Sequence, residues 1–331
     1  MELAGLGDNV HLIPALGALR NHWPQAEIHV MANAHVSDVF ALTPWIARTW
    51  AYPGSPRPGV RGNIAVVRKL RAEGFDFVIN TNGSDRSSLL TWASGAPLRI
   101  SRTPADGGPL GWAMLFTRTI TQPHYEEPMY LQKWKFMHAV LANLPGEGPG
   151  AIPALTIAID PALRRGAGIE AEDEGRYIHV SPFTTAVARE LPLEQVAALV
   201  AGLRERHPHL RMVLSCSANK RETEGMDALL PLLHEPPWKV FRGTLDIPAL
   251  AAVIEKAALA FSGDTGSLHL AMMSGAPAVA WFRTHRGERE WIPLQPQYRV
   301  LIAEGGAPDA LHGISTDELL GAAGELLEAR A

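Results

Sequence analysis

The chain has 331 residues, is 47% hydrophobic and 19% charged, and carries a net charge of −4. That composition excludes a disordered chain and a nucleic-acid binder driven by basic charge, and the length allows two domains of ordinary size. The single cysteine, Cys216, rules out an intrachain disulfide and makes a reducing compartment the default.

In chain order, β-like runs are predicted at 26–32, 75–80, 97–101, 176–181, 211–216, 238–241, 257–262, 277–282 and 298–302. Helices are predicted over about 10–22, 62–73, 86–94, 128–142, 192–206, 221–233, 246–256, 267–275 and 316–329, from apolar periodicity and stop signals. Such alternation predicts parallel sheets flanked by helices. The Pro/Gly-rich run 144–150, LPGEGPG, is the best linker. It divides the chain into an N-terminal domain, 1–150, and a C-terminal domain, 151–331. No run reaches the roughly 20 apolar residues of a membrane span, and no basic segment leads into an apolar one at the start. The cytoplasm is the expected compartment.

Charge is unevenly placed. Residues 1–150 hold 13 Lys+Arg against 11 Asp+Glu, and 151–331 hold 17 against 23. Between Val39 and Ala72 stand Arg48, Arg57, Arg61, Arg68, Lys69 and Arg71 with no acid. This is either a solvated face or a face for an anionic partner. The segment YLQKWKF, 130–136, sets Lys133 and Lys135 among Tyr130, Trp134 and Phe136. It reads as a helix with a Tyr130/Trp134/Met137/Leu141 core seam, or as a stretch resting at a membrane interface or on acceptor.

Ligands of open parallel sheets bind beyond the carboxyl ends of the strands, so the residues that follow strands carry most information. At FSGDTGSLHLAMMSG, 261–275, an apolar run gives way to Asp264-Thr265-Gly266-Ser267, and a helix then carries His269. A helix start offers unpaired N–H groups and the positive end of a dipole to a phosphate. Gly266 admits a close ligand, and Thr265, Ser267 and His269 add donors. The alternative is Asp264 or Thr265 as a simple helix cap. A second site is AGLGDNVHLIPALGALR, 4–20. Here Asp8 reads as the cap of a helix after a Gly5-Leu6-Gly7 turn. Val10 stands where a G-x-G-x-x-G dinucleotide fingerprint needs glycine, which disfavours a nicotinamide enzyme. A third is SPFTTAVARELPLEQ, 181–195, with Thr184, Thr185 and Arg189 in a loop before a helix opened by Pro192.

These three stretches together resemble glycosyltransferase family 9, the bacterial lipopolysaccharide heptosyltransferases. The likeness is strongest at 5–19 and 243–282, and moderate at 181–195. It implies the GT-B fold, an α/β architecture of two Rossmann-like domains with parallel sheets facing across a cleft. The first domain then lies on the acceptor side, and the second binds the nucleotide-sugar donor; the last helix is the one element that can pack back on the first domain. The resemblance gives Asp8 the role of general base. It places Thr184, Thr185, Arg189, Asp264, Thr265, Gly266 and His269 around the donor diphosphate, to which Ser267 adds its hydroxyl, with Arg57 and Arg61 toward the acceptor. Arg189 stands where the family has lysine, and Leu191 where it has tryptophan. Family members usually begin with a full strand before the Gly-Asp loop. Only Met1–Ala4 precede it here, so the first strand is expected to be short or to continue upstream.

The implied activity is inverting transfer of a heptose, by default from ADP-heptose, to a lipopolysaccharide-core-like or other anionic glycan or glycolipid. The resemblance implies no metal or other cofactor, a cytoplasmic location and peripheral contact with the inner membrane. The alternatives are a nucleotide-sugar epimerase on the same architecture and a non-catalytic nucleotide-sugar binder.

Overall fold

The computed structural model describes the chain except for residues 55–57, 126, 143, 152–154, 156, 285–286, 304–309 and 330–331. Arg57 therefore lies outside the described residues. The chain divides into two compact units, Met1–Ala154 and Leu155–Ala331. The run 144–150 belongs with the first unit. There Glu147 N donates to His22 O at 3.0 Å, Gly148 N to His22 Nδ1 at 3.1 Å, and Trp23 Nε1 to Pro145 O at 2.8 Å.

The first unit contains β1 (His29–Asn33), β2 (Arg48–Tyr52), β3 (Phe77–Asn80), β4 (Leu98–Arg102) and β5 (Arg118–Ile120), with α1 (Leu6–His22), α2 (Val60–Glu73), α3 (Asp85–Ala93) and α4 (Met129–Leu141). All strand pairs are parallel: β1 with β2, and β3 with β4 with β5. Residues 1–3 lie between these two sets. Glu2 bridges Ala32 in parallel, Glu2 N donates to Met31 O at 2.9 Å, and Thr81 N donates to Met1 O at 3.1 Å. The strand order thus runs outward from residues 1–3 in both directions. Strands β2 and β5 escape sequence prediction for a physical reason. Both lie at sheet edges, only Tyr52 of the two is buried, and neither presents an apolar run.

The second unit is a six-stranded parallel sheet in the order β11-β10-β9-β6-β7-β8. Its strands are β6 (Tyr177–Ser181), β7 (Arg211–Cys216), β8 (Lys239–Arg242), β9 (Leu259–Gly263), β10 (Ala278–Arg283) and β11 (Tyr298–Ala303). Its helices are α5 (Pro161–Gly166), α6 (Leu193–Arg206), α7 (Lys220–Leu229), α8 (Ile247–Glu255), α9 (Gly266–Ser274) and α10 (Thr316–Glu328). The central strands β6 and β9 are buried along their whole length, as expected where helices cover both faces. Helix α10 packs against α6, β9, β10 and β11 of its own unit. From β6 the chain moves outward through β7 and β8, then returns to β9 and moves the other way. The topological switch point therefore lies between β6 and β9, where an open α/β sheet forms its ligand crevice.

Candidate active site and anion site

In the second unit, the loops that follow β6 and β9 meet at this switch point. Ser181 and Ser262, near the ends of the two strands, are in register. Ser267 Oγ donates to Ser181 Oγ at 2.9 Å and so ties the first turn of α9 to the end of β6. Gly263 makes the approach possible. A Cβ there would lie 2.7 Å from Trp281 Nε1, 2.9 Å from Thr184 Cγ2 and 3.1 Å from Arg189 O. Trp281 Nε1 donates to Arg189 O at 3.1 Å, which fixes the backbone beneath the arginine side chain. Gly263 had no role in the sequence reading, which gave the close approach to Gly266.

Arg189 reaches across from the β6 loop, and its Nη1 donates to Asp264 Oδ2 at 2.8 Å. Asp264 is buried, whereas the Arg189 side chain is 38% exposed, so one face of the guanidinium remains open to a ligand. A carboxylate repels phosphate. Asp264 therefore suits the task of orienting Arg189 better than direct contact with a diphosphate, and an arginine gives a planar fork that a lysine lacks.

The start of α9, like that of α6, lacks the side-chain cap that the other helices of this unit carry. Helices α5, α7, α8 and α10 are capped by the side chains of Asp160, Asn219, Asp246 and Ser315. The N-cap residue of α9, Thr265, is extended, and its side chain makes no cap hydrogen bond. The simple capping role is thus absent for Thr265. Thr265, Gly266 and Ser267 are half-buried. His269 is buried, in T-shaped contact with Trp291 at 5.3 Å between ring centroids. Burial lowers its pKa to about 4, against an opposing pull from Asp264. His269 is therefore neutral near pH 7. It can offer one N–H or accept one hydrogen bond, but it brings no positive charge.

The two loop threonines differ. Thr184 is buried, and its hydroxyl donates to Ala186 O at 2.7 Å and accepts from Ala186 N at 3.1 Å. Its N–H donates to Glu190 Oε1 at 2.7 Å. Arg221 clamps the same turn, donating to both Glu190 oxygens at 2.8 and 3.0 Å and to Thr184 O. Thr184 thus shapes the loop, and the exposed Thr185 is the hydroxyl that faces solvent. Glu190 and Arg221 were missed by sequence reasoning, because a half-buried acid closing a loop leaves no periodic signal.

In the first unit, Asp8 lies at the carboxyl end of residues 1–3. The helix starts earlier than predicted, at Leu6 with Gly5 as N-cap, so Asp8 is inside the first turn and does not cap it. Its side chain is 26% exposed. Beneath it lies a residue that the sequence reading placed at the surface. Lys133 of α4 is buried, and its Nζ donates to Glu2 Oε2 at 2.6 Å and to Asp8 O at 2.8 Å. The same nitrogen is 3.5 Å from Asp8 Oδ1. The expected α4 seam is corrected accordingly. Gln132, Lys133, Phe136, Met137, Val140 and Leu141 are buried, whereas Tyr130 and Trp134 are half-buried. Arg61 is exposed on α2.

Comparison with known proteins identifies the fold and the family. Escherichia coli ADP-heptose lps heptosyltransferase II superimposes with a TM-score of 0.79 at 19% identity, covering 99% of this chain and 98% of that one. The E. coli heptosyltransferase WaaC, solved with ADP-2-deoxy-2-fluoro heptose, gives 0.74 at 16% identity, with 100% of both chains covered. The fold is thus of the GT-B class. The lipopolysaccharide core heptosyltransferase OpsX of Haemophilus influenzae is 23% identical over 285 residues, covering 86% of this chain and 78% of OpsX. Residues 63–314 match glycosyltransferase family 9 (heptosyltransferase), and the chain belongs to that family.

Proposed function

We propose that this glycosyltransferase moves a heptose from ADP-heptose to an anionic acceptor of the lipopolysaccharide-core type, with inversion and with Asp8 as general base. The observation that carries the donor half is the β6/β9 switch point, where Arg189, the uncapped start of α9, Thr265, Ser267 and neutral His269 converge. The donor sugar itself is taken from the heptosyltransferases that share the fold and family.

In the proposed reaction, the acceptor oxygen attacks the anomeric carbon while the bond from that carbon to the phosphate oxygen breaks. The acceptor proton passes to the Asp8 carboxylate. Charge growing on the departing diphosphate is met by N–H groups at the α9 N-terminus, the Arg189 guanidinium and neutral donors from Thr265, Ser267 and His269. No metal ion is needed for this step. A single displacement inverts the anomeric centre.

Peripheral contact with an anionic lipid surface forms part of the proposal. Support comes from α2, whose exposed residues include Val60 and Ile64 beside Arg61, Arg68 and Lys69. Its terminal acid, Glu73, is already paired with Arg48 at 2.5 Å.

The test is a panel of nucleotide sugars, screened first by thermal shift and then for turnover with core oligosaccharide. A true donor at 100 times its Kd adds about 2.7 kcal/mol of stability. ADP-heptose should stabilise the protein and yield glycosylated acceptor plus ADP. Stabilisation by a different nucleotide sugar alone would reassign the donor. Product from donor without acceptor would favour an epimerase, and binding with no turnover on any acceptor would favour a non-catalytic binder.

A further inference from the structure

The Glu2–Lys133 pair has no part in the reaction as written, yet it lies directly against Asp8. We infer that Lys133 and Glu2 are coupled positioning residues that hold the Asp8 carboxylate in place while leaving it able to accept a proton. The inference rests on Asp8 being the base.

The geometry is specific. Three separate parts of the chain deliver the groups: Glu2 from residues 1–3, Lys133 from α4 and Thr81 from the end of β3. The lysine ammonium has three protons. Two go to Glu2 Oε2 at 2.6 Å and Asp8 O at 2.8 Å, and Asp8 Oδ1 lies 3.5 Å from the same nitrogen. Thr81 Oγ1 donates to the same Glu2 oxygen at 2.7 Å. Glu2 is 0% and Lys133 4% exposed at the side chain. The carboxylate, the ammonium and the helix start are therefore fixed relative to one another.

Charge explains why both partners are present. A buried ammonium with Asp8 as its sole partner would bind that carboxylate tightly and hold protons off it, making a poor base. A second carboxylate on the same ammonium takes up most of that charge. Glu2, Lys133 and Asp8 together carry one net negative charge, and transfer of a proton to Asp8 brings their sum to zero. In a medium of low dielectric, that neutral end point is favourable. The Met1 amine, which donates to Ile79 O at 2.6 Å, is the further titratable group facing Glu2 and Lys133, and burial lowers its pKa to about 6. The other Glu2 oxygen, Oε1, is buried with no hydrogen-bond partner among the described residues.

The experiment is the pH profile of kcat/KM for the wild-type protein and four variants. Each variant is first checked for an intact fold by its melting transition and by donor binding. In Glu2→Gln the ammonium bears on Asp8 alone, and the acid limb should move down by roughly one pH unit, with slower turnover on the plateau. In Lys133→Met the two carboxylates lose their shared cation, and the acid limb should move up by about the same amount. Lys133→Arg retains the charge and should leave the limb close to wild type. If Lys133→Met does not fold, Glu2→Gln and Lys133→Arg alone decide the matter. A merely structural pair would lower the rate at every pH and leave the limb in place. Limbs that stay put, or that move in the same direction in Glu2→Gln and Lys133→Met, overturn the inference. Asp8→Asn separates the two levels. If it is inactive while the limbs stay fixed, the base stands and the coupling falls; if it turns over normally, both fall.

Discussion

The two units use the same device and load it with opposite charge. In each, strand order runs outward in both directions from one segment, residues 1–3 in the first unit and β6 in the second, and the loop after that segment leads into a helix. In the first unit that position holds a carboxylate, Asp8, above a buried ammonium shared with Glu2. In the second it holds a guanidinium, Arg189, which reaches to the loop after β9, where α9 begins without a side-chain cap and His269 is neutral. In the proposed reaction one arrangement receives a proton and the other holds an anion. The lesson is that the topology supplies the place, and the few residues after the strand supply the chemistry.

The largest effect should come from the smallest change in shape. Asp8→Asn keeps the size of the side chain and lies inside the helix, where no cap is lost. It should lower kcat by about 10²–10⁴-fold, as loss of a general base does, with donor affinity retained. Steady-state kinetics beside donor titration would check this. Near-normal turnover would reduce Asp8 to a helix-start acid and erase the contrast between the units.

In the second unit, the same logic predicts an effect on binding. Thr265→Ala and His269→Ala should each weaken donor affinity by about 1–3 kcal/mol, the worth of a hydrogen bond to a charged group. Because burial lowers the His269 pKa to about 4, its contribution should be flat between pH 6 and 8. It should change only as the pH falls toward 4, where the protonated ring binds an anion more strongly. Calorimetric titration across that range measures both points. A His269→Ala loss that appears only below pH 7 would mean that the ring works as a cation.

How far the sequence revealed these sites depended on where the energy is stored. The strands β6 and β9 were legible because both faces are covered, so that their residues read as continuous apolar runs. The α9 turn was legible because Asp264-Thr265-Gly266 interrupts such a run. Strands β2 and β5 were not, since edge strands need no apolar pattern. Lys133 was misread as a surface charge among aromatics. Its partner, Glu2, is 131 residues away, and no local period encodes an ion pair closed by tertiary packing. Thr184 was assigned a donor hydroxyl that the folded loop uses for itself, while the Glu190–Arg221 clamp gave no signal at all.

The smallest predicted effect concerns the acid-free stretch of the first unit. On α2, Arg61 and Arg68 are seven residues apart and both exposed, so they lie on one face of the helix; no ion pair to either occurs among the described residues. Exposed charges act through a solvent that screens them within about 10 Å at 0.1 M salt. Their removal should therefore leave kcat and donor affinity unchanged and raise the acceptor KM. Arg61→Ala combined with Arg68→Ala should raise that KM by a few-fold at low salt, with the difference fading toward 0.5 M salt. Initial rates at varied acceptor and ionic strength would measure it. A weakened donor with an unaffected acceptor would exchange the tasks proposed for the two units. A KM unchanged at every ionic strength would mean that this face is simply solvated.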